Sequence, residues 1–94
     1  MYILGDIGNS ETKVFLVSNN GKILKRINFL SKNINHKILN LKFKHIDKDF
    51  NKIKKILFCS VVPNTFDLLK KYLSKKTKIK CFEIKDLRLK SLID

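Results

Sequence analysis

The sequence lacks the usual features of secreted and membrane proteins. No stretch approaches the roughly 18 consecutive apolar residues of a membrane-spanning helix. Residues 1–4 provide neither the charged start nor the long apolar stretch of a signal peptide. The two cysteines, Cys59 and Cys81, lack metal-ligand spacing. We interpret both as small buried residues in strands, and a disulfide between them stays open. We therefore expect a cytoplasmic protein without a membrane partner.

Acidic residues and arginine are also scarce. The chain has eight acidic residues and 21 lysines and arginines, which gives a net charge of +13. Only Arg26 and Arg88 are arginines. Surfaces that bind nucleic acid usually rely on the fork geometry of arginine. The lysines run along the whole chain and are mixed with isoleucine and asparagine. We interpret the charge as a solvated surface and expect no nucleic-acid partner, although a basic nucleic-acid-binding protein stays the third candidate function.

Length and apolar content predict one small domain. A chain of 94 residues is the size of a single domain and can bury about 65% of its unfolded surface. Its hydrophobic fraction of 44% is too high for a disordered tail. No repeat or linker divides residues 1–94.

The first third of the chain predicts three strands in a meander. Residues 2–7 and 12–18 are short apolar runs, and residues 22–30 alternate between apolar and polar side chains. Between the last two runs lies Asn19-Asn20-Gly21, whose residue types accept a positive φ at low cost.

Residues 31–54 carry two overlapping patterns. Ile34, Ile38 and Leu41 have helical spacing, whereas Leu39, Leu41 and Phe43 alternate as in a strand. We favour a helix. Asp47 is then placed to cap a second short turn that buries Phe50 and Ile53.

The rest of the chain alternates between strand and helix. Residues 56–62 predict a buried strand, Pro63 suits the first turn of a helix, and residues 78–84 predict a last strand. Asp86 opens a short, helix-compatible tail to Asp94. The order β-β-β-α-β-α-β predicts an α/β fold with a mixed sheet of about five strands and helices on its faces.

The turn after the first strand combines residue types that suit a phosphate site. Ordinary turn chemistry also explains these types, but a carboxylate is not required at the end of a buried strand. Gly8 permits close backbone approach, and successive N–H groups at Asn9 and Ser10 can form an anion-binding concavity. Lys13 can place a charge on a phosphate, while Asp6 can face Mg²⁺ directly or through water. An acid, amides, a hydroxyl and a lysine fit the needs of phosphoryl transfer.

Two segments carry a resemblance to a known family. ILGDIGNSETKVFLV resembles the first phosphate-binding hairpin of the actin/hexokinase/Hsp70-like kinase superfamily. ILFCSVVPNTFDLLKKYL is similar to a strand, Ser-Val-Val-Pro and helix of type III pantothenate kinases, and the spacing between the two segments fits. The variant with Asn9, Ser10 and Lys13 also resembles a subgroup described as accessory factors for a virulence regulator. The resemblance covers nearly the whole chain and implies a ribonuclease H-like, actin-like ATPase domain.

The resemblance implies a function and its cofactors. The family transfers the γ-phosphate of ATP to pantothenate, the first step of coenzyme A synthesis, and it needs Mg²⁺ and a monovalent cation, K⁺ or NH₄⁺. Its members are homodimers of two similar domains. Asp6 is implied to organise Mg²⁺–ATP, and Lys13 to neutralise phosphate. The implied ATP-binding residues are Asp6, Ile7, Gly8, Asn9, Ser10, Glu11, Thr12 and Lys13. For residues 60–63 we favour a structural role.

The sequence also departs from the family pattern. A Gly-Ala-Asp-Arg type motif that carries the general base is expected beyond Asp94, and Asp94 itself lacks the flanking residues for that role. We therefore expect residues 1–94 to be an N-terminal nucleotide-binding half, without the second domain of the family, that is inactive alone. It is expected to form a homodimer or to pair with a C-terminal half. The alternative is a non-catalytic nucleotide-binding or accessory-factor-like module that needs a partner half.

Overall fold

Five strands and three helical segments make up the described part of the chain. The computed structural model describes residues 1–84, so the predicted tail from Asp86 to Asp94 lies outside it. The elements in chain order are β1 (Tyr2–Ile7), β2 (Glu11–Val17), β3 (Ile23–Leu30), α1 (His36–Lys42), a 3₁₀ helix (Asp47–Lys52), β4 (Lys55–Ser60), α2 (Pro63–Thr77) and β5 (Cys81–Glu83). This order confirms the predicted succession of strands and helices.

The strands form one mixed sheet in the order β3-β2-β1-β4-β5. The β1–β2 and β2–β3 pairs are antiparallel, as the meander predicts. The β1–β4 and β4–β5 pairs are parallel. At the Asn-Asn-Gly turn, Gly21 has a φ of +88°, and its N–H donates to the Ser18 carbonyl over 3.0 Å. The fold class is therefore the predicted α/β fold with a mixed sheet.

One face of the sheet packs against the helices and forms the main core. Ile3 and Val14 from the sheet are fully buried there, with Leu69 and Leu73 of α2. The α2 residues recur at helical spacing, so their burial follows from the sequence pattern. Pro63 occupies the first turn of α2, and Lys78 ends the helix in the left-handed region with a φ of +64°.

The second face carries a smaller cluster. Leu4, Phe15 and Val17 are buried there, and within residues 1–84 the members of this cluster come only from strands. The Arg26 guanidinium lies 5.3 Å from the centre of the Phe15 ring, which is a cation–π contact.

The segment 31–54 folds as a helix followed by a short turn, as favoured, but of the residues with the predicted helical spacing only Ile34 is buried, and Ile38 is half-buried. Leu41 is 67% exposed, whereas Leu39 and Phe43 are buried. The helix begins only at His36, with the Asn35 side chain accepting from the Ile38 N–H as its N-cap. Leu39 and Leu41 lie about 200° apart around the helix, so the burial of Leu39 turns Leu41 away from the core.

The second helical turn forms at the predicted place, but its cap is different. Phe50 and Ile53 are buried, as expected. Asp47 is the first residue of the 3₁₀ helix, the preceding position is Ile46, and no side-chain hydrogen bond caps it. The prediction that Asp47 caps this turn is therefore wrong, since an aspartate inside the first turn contributes only its charge.

The two cysteines lie on opposite faces of the sheet. Cys81 pairs in register with Ile56, which places its side chain in the main core, whereas Cys59 alternates to the second face beside the position of Leu57. This geometry excludes a direct disulfide between them. The Cys81 thiol is buried and contacts the Ser74 hydroxyl, and burial raises its pKa.

Among the helices of residues 1–84, none is long and apolar enough to cross a membrane.

Candidate phosphate-binding turn

The turn between β1 and β2 lies at the carboxyl edge of the parallel part of the sheet. β1 and β4 run in the same direction, with Ile7 opposite Ser60, and α2 begins three residues after that serine. In α/β sheets, ligands bind outside the carboxyl ends of the strands. The fold thus puts the predicted site where this class of protein binds its ligands.

Asp6 and Lys13 stand directly opposite each other on neighbouring strands. They are paired in the antiparallel register of β1 and β2, so both side chains project from the same face of the sheet. That face is the second one, because Asp6 alternates with the core residues Gly5 and Ile7. Asp6 is half-buried and Lys13 is exposed. A carboxylate and an ammonium therefore flank the same end of the turn.

The backbone of Gly8 is already engaged within the protein. Its N–H donates to the Glu11 carbonyl over 3.0 Å, and its carbonyl accepts from the Ser31 hydroxyl over 2.6 Å. A Cβ atom at this position would lie 3.1 Å from the Glu11 carbonyl oxygen. Glycine therefore keeps the tight hairpin bond free of crowding.

Asn9 and Ser10 form the exposed tip of the turn. Both are exposed, and among the hydrogen bonds of residues 1–84 neither of their N–H groups donates to a protein acceptor. Exposed, adjacent N–H groups of a turn can bind an anion. These two amides, rather than that of Gly8, are the donors that the turn offers to a ligand.

The remaining predicted site residues are Ile7, Glu11 and Thr12, and two of them are buried beneath the turn. Ile7 is buried in the main core, and its carbonyl accepts from the Val61 N–H over 3.0 Å. Thr12 is fully buried, and its hydroxyl lies 2.8 Å from that of Ser31. Glu11 is exposed at the first position of β2. The buried side chains of Ile7 and Thr12 thus hold the turn in place. The predicted contact of these two residues with ATP could therefore involve only their backbone atoms.

Ser31 is the residue of this site that the sequence did not reveal. It is buried and connects three parts of the fold. Its N–H donates to the Ser10 carbonyl over 3.0 Å, and its hydroxyl bonds to Gly8 and Thr12. Its carbonyl accepts from the Thr65 hydroxyl of α2 over 3.0 Å. We name these hydrogen bonds the Ser31 network. In the sequence, Ser31 is only a turn-forming residue after a predicted strand, and that pattern does not indicate which groups its hydroxyl bonds to.

The start of α2 borders the same region. A surface pocket of about 590 Å³ is lined by Asn9 and Ser10 of the turn and by Asn64 and Thr65 of the first helical turn, with Lys32 at its side. α2 has no side-chain cap and no acid in its first turn. The N-terminal end of a helix carries partial positive charge, so the pocket is electrostatically suited to an anion.

Residues 60–62 have a structural role, which agrees with the interpretation favoured from the sequence. The Ser60 hydroxyl donates to the Val62 carbonyl over 2.9 Å and accepts from the Val62 N–H over 3.0 Å. These bonds close the turn that leads from β4 into α2.

Gly5 is needed for packing next to the site. It pairs with Phe58 across β1 and β4, and a Cβ on Gly5 would lie 2.0 Å from a Phe58 ring carbon. The Phe58 ring therefore occupies the space above the backbone that leads into Asp6. A glycine within an apolar strand is the sequence signal for such a close approach.

No protein cluster in residues 1–84 is ready to hold a metal ion by itself, since no three His, Cys, Asp or Glu side chains come together there. Mg²⁺ takes few protein carboxylates and keeps waters or phosphate oxygens as its other ligands. One half-buried carboxylate, Asp6, beside the candidate phosphate-binding turn fits that pattern.

Comparison with known proteins places these observations in a family. A sequence model described as type III pantothenate kinase matches residues 2–94. A type III pantothenate kinase of Pelagibacter ubique (strain HTCC1062) is 47% identical over 93 residues, which are 99% of this chain and 38% of that protein. The chain thus spans well under half the length of this relative.

A solved structure shows the same fold. The crystal structure of a Porphyromonas gingivalis protein assigned as an N-acetylglucosamine kinase superposes with a TM-score of 0.58. The match covers 88% of this chain and 33% of that one, at 17% identity. At that identity the similarity supports the fold alone.

Proposed function

The chain belongs to the type III pantothenate kinase family, and from this premise we propose that it supplies the ATP-phosphate-binding half of a pantothenate kinase. The reaction transfers the γ-phosphate of ATP to the hydroxyl of pantothenate and yields 4′-phosphopantothenate, the first step of coenzyme A synthesis. The family match over residues 2–94 supports this assignment.

One observation carries the proposal within the structure. Asp6 and Lys13 are cross-strand partners beside a turn that leaves the N–H groups of Asn9 and Ser10 unengaged within residues 1–84. In the proposed complex, those two amides and the Lys13 ammonium bind phosphate oxygens. Phosphoryl transfer depends mainly on positioning and charge neutralisation, and this arrangement provides both.

Asp6 is the residue proposed to hold Mg²⁺, directly or through water. When bound with ATP, the ion neutralises charge on the phosphate oxygens. In the proposed complex, the Asp6 carboxylate places Mg²⁺ on the second face of the sheet. The Lys13 ammonium, opposite Asp6 on the same face, binds the phosphate oxygens.

The other components of the reaction are proposed from the family. They are a general base carried by residues other than 1–94, a monovalent cation (K⁺ or NH₄⁺), and a homodimer or a pairing with a C-terminal half. The use of ATP and pantothenate favours the cytoplasm as the site of action. Residues 1–94 then form the N-terminal nucleotide-binding half.

A second candidate is a nucleotide-binding module without catalysis. The chain matches 38% of its Pelagibacter relative, so the phosphate-binding turn is present here while most of the relative's length is unmatched. Such a module binds MgATP and transfers no phosphate, alone or with a partner half.

Two assays test these proposals. Calorimetric titration measures MgATP binding to the 94-residue chain. A kinase assay with pantothenate is run on the chain alone and on the chain mixed with the unmatched C-terminal region of the Pelagibacter relative. Phosphate transfer only in the mixture supports the kinase half. Binding without transfer in the mixture favours the module, and absence of binding to the chain contradicts both.

Charge variants then test the assigned roles. Asp6→Asn is expected to lower the rate of the reconstituted enzyme by about 10²–10³-fold, because one preorganised electrostatic contact is lost. Lys13→Ala is expected to weaken MgATP binding mainly. Asp67→Asn and Lys22→Ala remove exposed charges from α2 and from the β2–β3 turn, and they serve as matched controls. Full activity of Asp6→Asn would refute the proposed metal-side role.

A further inference from the structure

The phosphate-binding turn has no side-chain support of its own. The only hydrogen bond within the hairpin that involves residues 8–10 runs from the Gly8 N–H to the Glu11 carbonyl in the described chain. Asn9 and Ser10 are exposed and contribute no packing. A tip of this kind is expected to be mobile on the nanosecond timescale unless another segment fixes it.

Ser31 supplies that fixation from outside the hairpin. Its hydroxyl donates to the Gly8 carbonyl before the tip, and its N–H donates to the Ser10 carbonyl at the end of the tip. The two bonds therefore hold both sides of Asn9. The Gly8 carbonyl and the Asn9 N–H belong to one trans peptide unit, so the inward bond of that carbonyl turns the Asn9 N–H outward. The Asn9–Ser10 peptide unit, which carries the Ser10 N–H, is restrained because the backbone is bonded on both sides of it.

Ser31 is itself held from two directions. The Thr12 hydroxyl lies 2.8 Å from the Ser31 hydroxyl and fixes its rotamer. The Thr65 hydroxyl of α2 donates to the Ser31 carbonyl. All three residues are at most 4% exposed, so water does not compete well for these bonds.

We propose that Ser31 is a positioning residue for ATP binding, which acts by fixing the orientation of the Asn9 and Ser10 N–H groups, and that Thr65 links this turn to the start of α2. This inference rests on the proposed function for its ligand. It assigns a role to a residue outside the eight that the sequence pattern identifies. Ser31 is not a catalytic residue, because the nucleotide contacts the turn and not the buried hydroxyl.

The first experiment measures the turn without any ligand. Backbone ¹⁵N relaxation of the 94-residue chain gives order parameters for the Asn9 and Ser10 amides. We expect values near 0.85 in the wild type and below about 0.6 in Ser31→Ala, the ranges of rigid and flexible backbone. Ser18→Ala is the matched control. Its hydroxyl accepts from the Lys22 N–H over 3.0 Å at the opposite end of the sheet, so it also removes a serine brace from a hairpin turn.

The second experiment measures MgATP binding of the same variants by titration. Ser31→Ala is expected to raise the Kd by about fivefold or more, which corresponds to the net value of one hydrogen bond. Ser18→Ala is expected to bind as the wild type does. Thr65→Val keeps the Ser31 hydroxyl and a similar side-chain shape, and it is expected to give a smaller change in the same direction.

The outcomes separate this inference from the proposed function. Wild-type order parameters at Asn9 and Ser10 in folded Ser31→Ala overturn the inference, whether or not the chain binds ATP. An unchanged Kd in that variant overturns it as well. If the wild type does not bind MgATP, the proposed function fails, and the order parameters still decide whether Ser31 positions the turn. If Ser31→Ala does not fold, Thr65→Val decides, and wild-type order and affinity in that variant overturn the inference.

Discussion

Replacing Gly5 with alanine tests whether the close contact between β1 and β4 limits the sheet. The added Cβ would lie 2.0 Å and 2.2 Å from two ring carbons of Phe58. Carbon atoms normally approach to about 3.5–4.0 Å, so the ring has to retreat by roughly 1.5 Å. Phe58 is fully buried, so the ring has to move against packed neighbours. Overpacking of this kind costs about 1–3 kcal/mol.

The effect is measurable as a change in thermal stability. For a domain of this size, each 1 kcal/mol lowers Tm by about 4–8 °C, so Gly5→Ala is expected to melt at least about 4 °C below the wild type. Circular dichroism melts and urea titrations measure the difference. Gly8→Ala is the comparison variant, because its Cβ meets one backbone oxygen at 3.1 Å instead of ring carbons at 2.0 Å, and it is expected to lower Tm by less than Gly5→Ala does.

A double variant tests the cause. Phe58→Leu removes the ring atoms that the new Cβ meets, so Gly5→Ala should cost less in that background than in the wild type. Contacting residues typically show coupling energies of about 0.5–3 kcal/mol. Additive effects of the two substitutions, or a wild-type melting temperature for Gly5→Ala, would refute the packing explanation.

Three further predictions concern the rest of the described fold. Burial raises the pKa of the Cys81 thiol above its ordinary value of 9.0, so the folded state retains the proton longer than the unfolded state. Stability is therefore expected to fall as the pH rises past about 9, and to fall less in Cys81→Ala, in urea titrations from pH 7 to 10.5. Tyr72→Phe loses the 2.8 Å bond to the Asn40 side chain that joins α2 to α1, and it is expected to cost about 1 kcal/mol; an unchanged urea midpoint would contradict this. Leu30 and Leu41, 71% and 67% exposed, line one pocket, so the chain is expected to self-associate and Leu41→Glu to reduce it; light scattering from a clean monomer would contradict this.

The strand meander was predictable because its signals are local. Alternation in residues 22–30 and the Asn-Asn-Gly turn both depend on neighbours in sequence. The turn forms as predicted with Gly21 at positive φ, and burying one face of each strand decides which side chains point to the core. The exact register also depends on the turns: the bond from the Gly8 N–H to the Glu11 carbonyl closes the β1–β2 hairpin, in which Lys13 stands opposite Asp6.

The buried face of α1 was not predictable in the same way. Two periodic patterns overlap in residues 34–43, and the choice between them depends on where the helix begins. Asn35 caps the helix, so Ile34 precedes it and packs from a non-helical position. Leu39 and Phe43, four residues apart, then face the core, and Leu41 faces outward.

The site illustrates the same limit in its chemistry. The sequence shows which residue types lie in the turn. It does not show that the Ser31 hydroxyl bonds to the carbonyl of Gly8, 23 residues earlier in the chain. This bond changes what the turn can do. Gly8 is the glycine that the pattern offers for phosphate approach, yet both its backbone groups are bonded inward. Within residues 1–84, the N–H groups of the turn without an acceptor are those of Asn9 and Ser10. Two amides, one lysine and one carboxylate are few contacts for a nucleoside triphosphate, so we expect the 94-residue chain alone to bind MgATP weakly. The proposed C-terminal half is expected to add contacts to the adenosine and to the transferred phosphate and so to strengthen that binding.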